Sequence, residues 1–375
     1  MDQRPLNLFI SVGEESADHH GAHVVEALRQ MQPDIKWFGF GGKALKQQGV
    51  DILYPLPDLA LIGFVEVIKR LPTLFHVRAI AEKSWDERKP DAVILIDYPG
   101  FHLHLAKRAQ ERGIPVFYYI APQAWAWREK RVETMRETIK RLFVIFPFEE
   151  HFFQSRGVDA QFVGHPLLDR IPPTPAQDRA PLERPVVGLL PGSRKNELKR
   201  LLPTLLSAAK RLRKQKPETQ FFLPLAETLP ESFLQNFDLP DWLEVGRDPD
   251  YARRKQLTFA WTASGTATME NALLGLPMAV VYRSGAVNAF LARRLIRVPY
   301  IGMVNLIAQK GICPEFIQEQ CHPEQLARHA EEFLSDAQRY QEMIDDLNAL
   351  RQKLGGENAA QRAAQAIHAA ILETL

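Results

Sequence analysis

At 375 residues, with 46% apolar, 25% charged and 9% aromatic side chains, the chain is long enough for two globular domains and too apolar to be disordered. Its 47 basic and 45 acidic side chains leave a formal charge of +2, which excludes a general polyelectrolyte attraction to nucleic acid and confines phosphate recognition to local cations. The least charged long stretch, Thr258 to Tyr282, is interrupted by Gly265, Glu270, Gly275 and Pro277, so no segment reads as a membrane span of ~20 apolar residues.

In chain order, Leu6–Val12 is a short apolar run followed at once by Glu14 and Glu15, with no small-residue cleavage pattern. It reads as a first strand and not as a secretion signal, which makes the cytoplasm the expected location. The loop after it lacks G-x-G-x-x-G spacing, so nicotinamide and flavin binding are unsupported. Ser16 and Asp18 there can recognise a hydroxyl-bearing ligand or cap the helix read over Ala22–Met31. A strand at Ile35–Phe40 follows. The segment from Leu59 to Phe75 is apolar with a basic fringe at Lys69, Arg70 and Arg78. It suits either an ordinary buried helix or a face laid on a membrane, with Ile68, Leu71 and Phe75 as the contacts. Ala92–Ile96 runs into Asp97-Tyr98-Pro99-Gly100-Phe101, which puts a carboxylate at the end of a central strand. That group can act as a general base, or as the N-cap of a helix entered through Pro99. A helix at Leu103–Arg112 and strands at Val116–Tyr119, Arg141–Ile145 and Gln161–Val163 complete the first series. Pro172, Pro173, Pro175, Pro181 and Pro185 then crowd a linker at Ile171–Pro185.

The second series has strands at Val186–Leu190, Gln220–Pro224, Trp242–Val245, Leu257–Thr262 and Met278–Tyr282. After the first of these, Pro191-Gly192-Ser193-Arg194 enters a helix. Gly192 permits close backbone approach, the helix start offers free N–H groups, and Arg194 adds a bidentate cation. The motif can hold a diphosphate, although Arg194 could equally pair with Glu197. After Leu257–Thr262, Ser264-Gly265-Thr266 opens another helix, and Glu270 one turn in could accept both hydroxyls of a ribose. Plain capping would look the same. The helical tail from Pro323 is broken once, at Gly355-Gly356. Strands alternating with helices in both halves predict an α/β protein of two tandem Rossmann-like doubly wound domains. The boundaries read as 1–170, a linker at 171–185, 186–340, and a tail at 341–375 that packs back on the first domain or exchanges between subunits of a homodimer. Ligands are expected in the crevice at the carboxyl ends of the two sheets. Asp248-Pro249-Asp250 reads as a helix start and not a metal pair. His19-His20 and His102-x-His104 lack a third ligand, as do Cys313 and Cys321, so neither metal nor cofactor is expected.

Taken in order, Gly13-Glu14-x-Ser16-x-Asp18, Ile96-Asp97-Tyr98-Pro99-x-Phe101, Pro122-x-x-Trp125-Ala126-Trp127-Arg128, Phe162-Val163-Gly164-His165-Pro166, Leu190-Pro191-Gly192-Ser193-Arg194, Ser264-Gly265-Thr266-Ala267-Thr268-x-Glu270, Pro299-Tyr300 and Asn305-Leu306-Ile307-Ala308 form a pattern. It closely resembles the lipid A disaccharide synthase family, from the first strand to about Gln318. The resemblance implies a metal-independent, inverting glycosyltransferase of the GT-B type acting in lipid A and lipopolysaccharide biosynthesis. It would join UDP-2,3-diacylglucosamine to 2,3-diacylglucosamine 1-phosphate through a β-1,6 bond, releasing UDP, at the inner leaflet of the inner membrane. By the same pattern Gly192, Ser193, Arg194, Ser264, Gly265, Thr266 and Glu270 would hold UDP, with Asn305 near the donor. Asp97 would be the base, and Ser16, Asp18, Trp125 and Arg128 would lie on the acceptor side. Three positions depart from the pattern: Ala17 stands for a glycine and is followed by His19-His20, His102 for an asparagine, and Gln309 for a glycine. A UDP-N-acetylglucosamine 2-epimerase and a non-catalytic binder of UDP-sugars are the competing readings.

Overall fold

The computed structural model describes residues 4–55, 71–125, 130–174, 179–226, 229–284 and 299–375. These fall into two compact units, Met1–Asp169 with Leu354–Leu375, and Arg170–Lys353.

The first unit is built on seven parallel strands: β1 (Asn7–Val12), β2 (Lys36–Gly41), β3 (Asp51–Pro55), β4 (Ala92–Ile96), β5 (Val116–Tyr119), β6 (Arg141–Val144) and β7 (Ala160–Phe162). They lie in the order β3-β2-β1-β4-β5-β6-β7. All five residues of β4 are buried, as expected of a parallel strand covered by helices on both faces, and this is why it reads in sequence as an unbroken apolar run. On one face Phe9 meets Phe38, Phe40 and Trp85 edge-on at 5.3–5.4 Å, joining β1, β2 and the helix Leu71–Arg88 in one aromatic core. The helix Ala359–Leu372 packs against the helix Glu15–Met31. Asp169 accepts the Ala359 and Ala360 N–H groups at 2.9 and 2.8 Å, capping that tail helix. Gly164, with φ +93, lets the Arg362 guanidinium pass so closely that a Cβ there would fall 2.3 Å from it, and Arg362 donates to the Val163 carbonyl. The Val163-Gly164-His165 motif therefore docks the tail.

The second unit carries β8 (Val186–Leu190), β9 (Gln220–Pro224), β10 (Leu243–Gly246), β11 (Phe259–Ala263), β12 (Met278–Tyr282) and β13 (Glu315–Ile317), all parallel, in the order β10-β9-β8-β11-β12-β13. The helix Ala337–Lys353 belongs to this unit, so the first unit takes up the tail only from Leu354 and not from 341. Two strands escaped the sequence reading. Both β3 and β13 are edge strands with no buried residue, and β3 ends in Pro55, which an edge tolerates.

In each sheet the strand order reverses once, between β1 and β4 and between β8 and β11. Doubly wound sheets bind ligands at the carboxyl ends of the strands flanking such a reversal. Asp97 follows β4, Gly192 follows β8, and Gly265 follows β11.

Candidate active site

In the first unit, β4 ends in two consecutive left-handed residues, Asp97 with φ +52 and Tyr98 with φ +53. Each costs on the order of 1–3 kcal/mol for a side chain other than glycine, so the surroundings must hold them there. The Asp97 carbonyl accepts two hydrogen bonds, one from His102 Nδ1 at 2.6 Å and one from the Tyr118 hydroxyl. The Asp97 N–H donates to the Tyr119 carbonyl at 3.0 Å. Tyr98, not Asp97, occupies the N-cap position of the helix Pro99–Gln110, and no side chain caps it. The Asp97 carboxylate is thus not consumed by capping. Burial pushes its pKa up to about 6, with the Glu14 charge adding to the rise and the Tyr98 N–H opposing it. Gly13, at the end of β1, passes so close over Tyr98 that a Cβ would lie 2.0 Å from the ring.

The neighbouring candidates differ in what their side chains are free to do. Ser16 is exposed in the first turn of the helix Glu15–Met31. Asp18 is buried, and its carboxylate accepts the N–H groups of Gly42, Ala44 and Leu45 at 2.7, 2.9 and 3.4 Å. Three of roughly four acceptor positions on the carboxylate are therefore engaged at the start of the helix Lys43–Gln47. Trp125 donates from Nε1 to Glu149 Oε1 at 3.0 Å, and its ring meets Phe148 edge-on at 5.0 Å. Glu149 is fully buried, which pushes its carboxyl up to about 7 against the opposing hydrogen bonds from Trp125 and the Phe146 N–H. Arg128, Ile68 and the Leu71 side chain lie outside the described residues. Phe75 is 56% exposed, with the Arg78 guanidinium 5.2 Å above its ring.

In the second unit, Gly192 has φ +111, and a Cβ there would fall 2.2 Å from Glu197 Oε2. That oxygen accepts the Ser193 and Arg194 N–H groups at 3.1 and 3.3 Å, while Arg194 Nη1 reaches Oε1 at 3.4 Å. The turn before the helix Lys195–Gln215 therefore already gathers backbone donors and a guanidinium around one carboxylate, which is the chemistry of an anion nest. The Arg194 side chain is 70% exposed, and an ion pair that open contributes ~0–1 kcal/mol, so it holds the guanidinium only weakly. After β11, Gly265 has φ +154 and no atom within 4 Å of where its Cβ would be; Thr266 beside it is exposed. Ser264 is tied through its hydroxyl to the Ile301 carbonyl at 3.0 Å.

Glu270 sits one turn into the helix Thr266–Leu273 and is held from behind. Tyr251 donates to its Oε1 at 3.0 Å and Arg254 to its Oε2 at 2.8 Å. Arg254 is in turn anchored to the buried Asp248 at 3.1 Å. A carboxylate offers about four acceptor positions, which leaves two for vicinal hydroxyls. Asp248 does not begin a helix as expected: Asp248–Asp250 is a turn, and the carboxylate of Asp248 accepts the Arg253 and Arg254 N–H groups and fixes the Arg254 guanidinium. Neither Tyr251 nor Arg254 carries a signal in the sequence that would single it out. Asn305 is fully buried, bonding the Cys313 carbonyl and N–H at 2.7 and 2.9 Å and Glu315 at 2.9 Å. Both of its amide N–H groups are thus engaged within the fold.

A cavity of about 820 Å³ is lined by residues including Trp85, Asp91, Arg112 and Lys140. It opens at the amino ends of β4 to β6, the opposite edge of the sheet from Asp97. Among the described residues no three metal-ligating side chains cluster, and no helix is long and apolar enough to cross a membrane.

The family model of lipid-A-disaccharide synthetase matches residues 8–370. The chain belongs to the lipid-A-disaccharide synthetase family. Its relatives named lipid-A-disaccharide synthase include those of Syntrophus aciditrophicus, 42% identical over 95% of this chain and 96% of the relative, and of Nitrosococcus oceani, 39% identical over 97% and 96%. Among solved structures, the calicheamicin glycosyltransferase CalG4 aligns with a TM-score of 0.65 at 13% identity, covering 98% of this chain and 99% of that one. The UDP-GlcNAc 2-epimerase of Neisseria meningitidis, bound to UDP-GlcNAc, gives 0.60 at 13% identity over 98% and 99%. At such identities these two structures show the shared two-domain GT-B architecture alone. Membership of the lipid-A-disaccharide synthetase family makes the chain a hexosyltransferase of lipid A assembly, and the epimerase reading is not favoured.

Proposed function

We propose that Asp97 is the general base that takes the proton from the acceptor's 6-hydroxyl, while Gly192, Ser193, Arg194, Gly265, Thr266 and Glu270 hold UDP. The donor is a UDP-activated 2,3-diacylglucosamine, the acceptor its 1-phosphate counterpart, and the product a β-1,6 disaccharide 1-phosphate. One observation carries the reading: a carboxyl group clear of any capping duty, with its pKa pushed up to about 6, stands at the strand reversal where this fold class binds ligands. A base in that range is ionised at neutral pH yet strong enough to accept a proton as the bond forms. Inversion needs only this base and a stabilised leaving group. The Arg194 guanidinium and the donors around Glu197 can carry the developing diphosphate charge without a cation. On the donor side Glu270, braced by Tyr251 and Arg254, suits the two ribose hydroxyls.

The substrates carry acyl chains, so the enzyme must work at a lipid surface. The exposed Phe75 beside Arg78 supports peripheral association with an anionic inner leaflet through this helix. The deciding experiment incubates the purified chain with the acylated UDP-sugar, with and without the lipid monosaccharide phosphate. Acceptor-dependent UDP release is expected; an isomerised sugar, or binding without turnover, would refute the reading.

A further inference from the structure

We propose that His102 is a positioning residue for Asp97, acting through the Asp97 backbone carbonyl and not on substrate. The proposal rests on the reading of Asp97 as the base. His102 is fully buried in the first turn of the helix Pro99–Gln110. Its Nδ1 lies 2.6 Å from the Asp97 carbonyl oxygen and its Nε2 2.8 Å from Ser11 Oγ, itself fully buried on β1. A carbonyl can only accept, so Nδ1 carries the proton; the Nε2 lone pair then accepts from the Ser11 hydroxyl. Only one arrangement of protons satisfies the chain from β1 through the ring to the end of β4. Tyr98 and Tyr118 close around the imidazole edge-on, at 5.6 and 6.2 Å, and leave it one orientation.

The consequence falls on Asp97. With φ +52 its conformation is disfavoured for any residue bearing a Cβ, and its carbonyl is pulled into place by two donors, His102 and the Tyr118 hydroxyl. Loss of the clamp lets the peptide relax and carries the carboxylate away from the acceptor oxygen. A misplacement near 1 Å at a reacting group costs about 100-fold in rate. A role confined to stability would instead lower the folded fraction and leave the turnover of folded enzyme intact.

The test compares His102→Phe, which keeps a planar ring, somewhat larger, and loses both hydrogen bonds, with His102→Asn, whose Nδ2 can stand where Nδ1 stood and donate to the same carbonyl. Tyr118→Phe removes the other donor with no cavity. For each folded variant, kcat, the KM for donor and acceptor, and UDP affinity by calorimetry are measured. His102→Phe is expected to lower kcat about 100-fold with KM and UDP affinity unchanged. His102→Asn should recover most of that loss, and Tyr118→Phe should lower kcat about tenfold, the worth of one hydrogen bond. Full kcat in folded His102→Phe, an Asn variant no better than Phe, or a loss expressed in UDP affinity would each overturn the proposal. Should His102→Phe fail to fold, unchanged kcat in Tyr118→Phe overturns it equally. Asp97→Asn is run alongside: if it retains turnover, the base assignment falls. If it is inactive while the His102 and Tyr118 variants keep full kcat, the positioning role alone falls.

Discussion

Replacing Asp97 by Asn should abolish turnover and, at neutral pH, make the protein more stable. In the folded chain burial raises the Asp97 pKa from 3.8 to about 6, so the native state binds a proton that the unfolded state has already released. Between those two values stability falls as pH rises, and above about 6 the full cost of holding the carboxylate ionised is present. At ~1.4 kcal/mol per pKa unit that cost is at most about 3 kcal/mol. Because the side chain keeps some access to solvent, about half of that is the realistic gain on substitution. For a unit of this size a gain of 1.5 kcal/mol corresponds to roughly 3–6 °C in Tm. Thermal unfolding of wild type and Asp97→Asn should therefore diverge at pH 7.5 and converge as the pH is lowered from about 6 toward 3.8. In the wild type, kcat/KM should fall on the acid side of about 6, roughly tenfold per pH unit. His102, pushed down to about 4 by burial, is neutral at the onset of that limb near 6 and charges only at its foot. A variant that is inactive but no more stable, together with a flat acid limb, would refute the claim that a desolvated carboxylate is the base.

Arg194→Ala should weaken UDP binding by about 1.5–3 kcal/mol, the range for hydrogen bonds to a charged group, and titration calorimetry showing unchanged affinity would remove it from the diphosphate site. Asp18→Ala should cost about 1–2 kcal/mol of stability through the uncapped helix Lys43–Gln47, with kcat of the folded enzyme preserved; a specific rise in acceptor KM would restore its contact role. Phe75→Asp should release folded enzyme from anionic vesicles in a sedimentation assay, and undiminished co-sedimentation would move the lipid contact elsewhere. Chelation with excess EDTA should leave UDP release unchanged, and activity restored only by added divalent cation would contradict the cation-free account of the leaving group.

Central strands were legible because they are buried on both faces and appear as short apolar runs. β4, β5, β8, β9 and β12 fall where the sequence puts them. Two of the four edge strands, β3 and β13, were not legible, since they bury nothing fully and have no pattern to betray them. The capping alternative at Asp97 could be removed only by the backbone, which puts Tyr98 at the N-cap, because Asp-x-Pro is compatible with a cap. Asp18 shows the reverse failure: its carboxylate caps a helix some 24 residues ahead, a partner that no local motif announces. His102 reads in sequence only as an incomplete metal ligand, and no local motif announces its bond to a carbonyl five residues earlier. The braces behind Glu270 come from Tyr251 and Arg254, whose relevance depends on how the loop after β10 folds back.

Because residues 354–375 belong to the first unit, its folding is interrupted by the whole of the second. Ala363, Ile367 and Ile371 contribute fully or almost fully buried side chains to the unit that begins near the amino terminus. During synthesis the amino-terminal half must therefore wait with the part of the helix Glu15–Met31 that receives the helix Ala359–Leu372 uncovered until that helix emerges. A nascent chain halted before that point should be bound by chaperones and cut by protease within its first 170 residues. The released full-length chain should not.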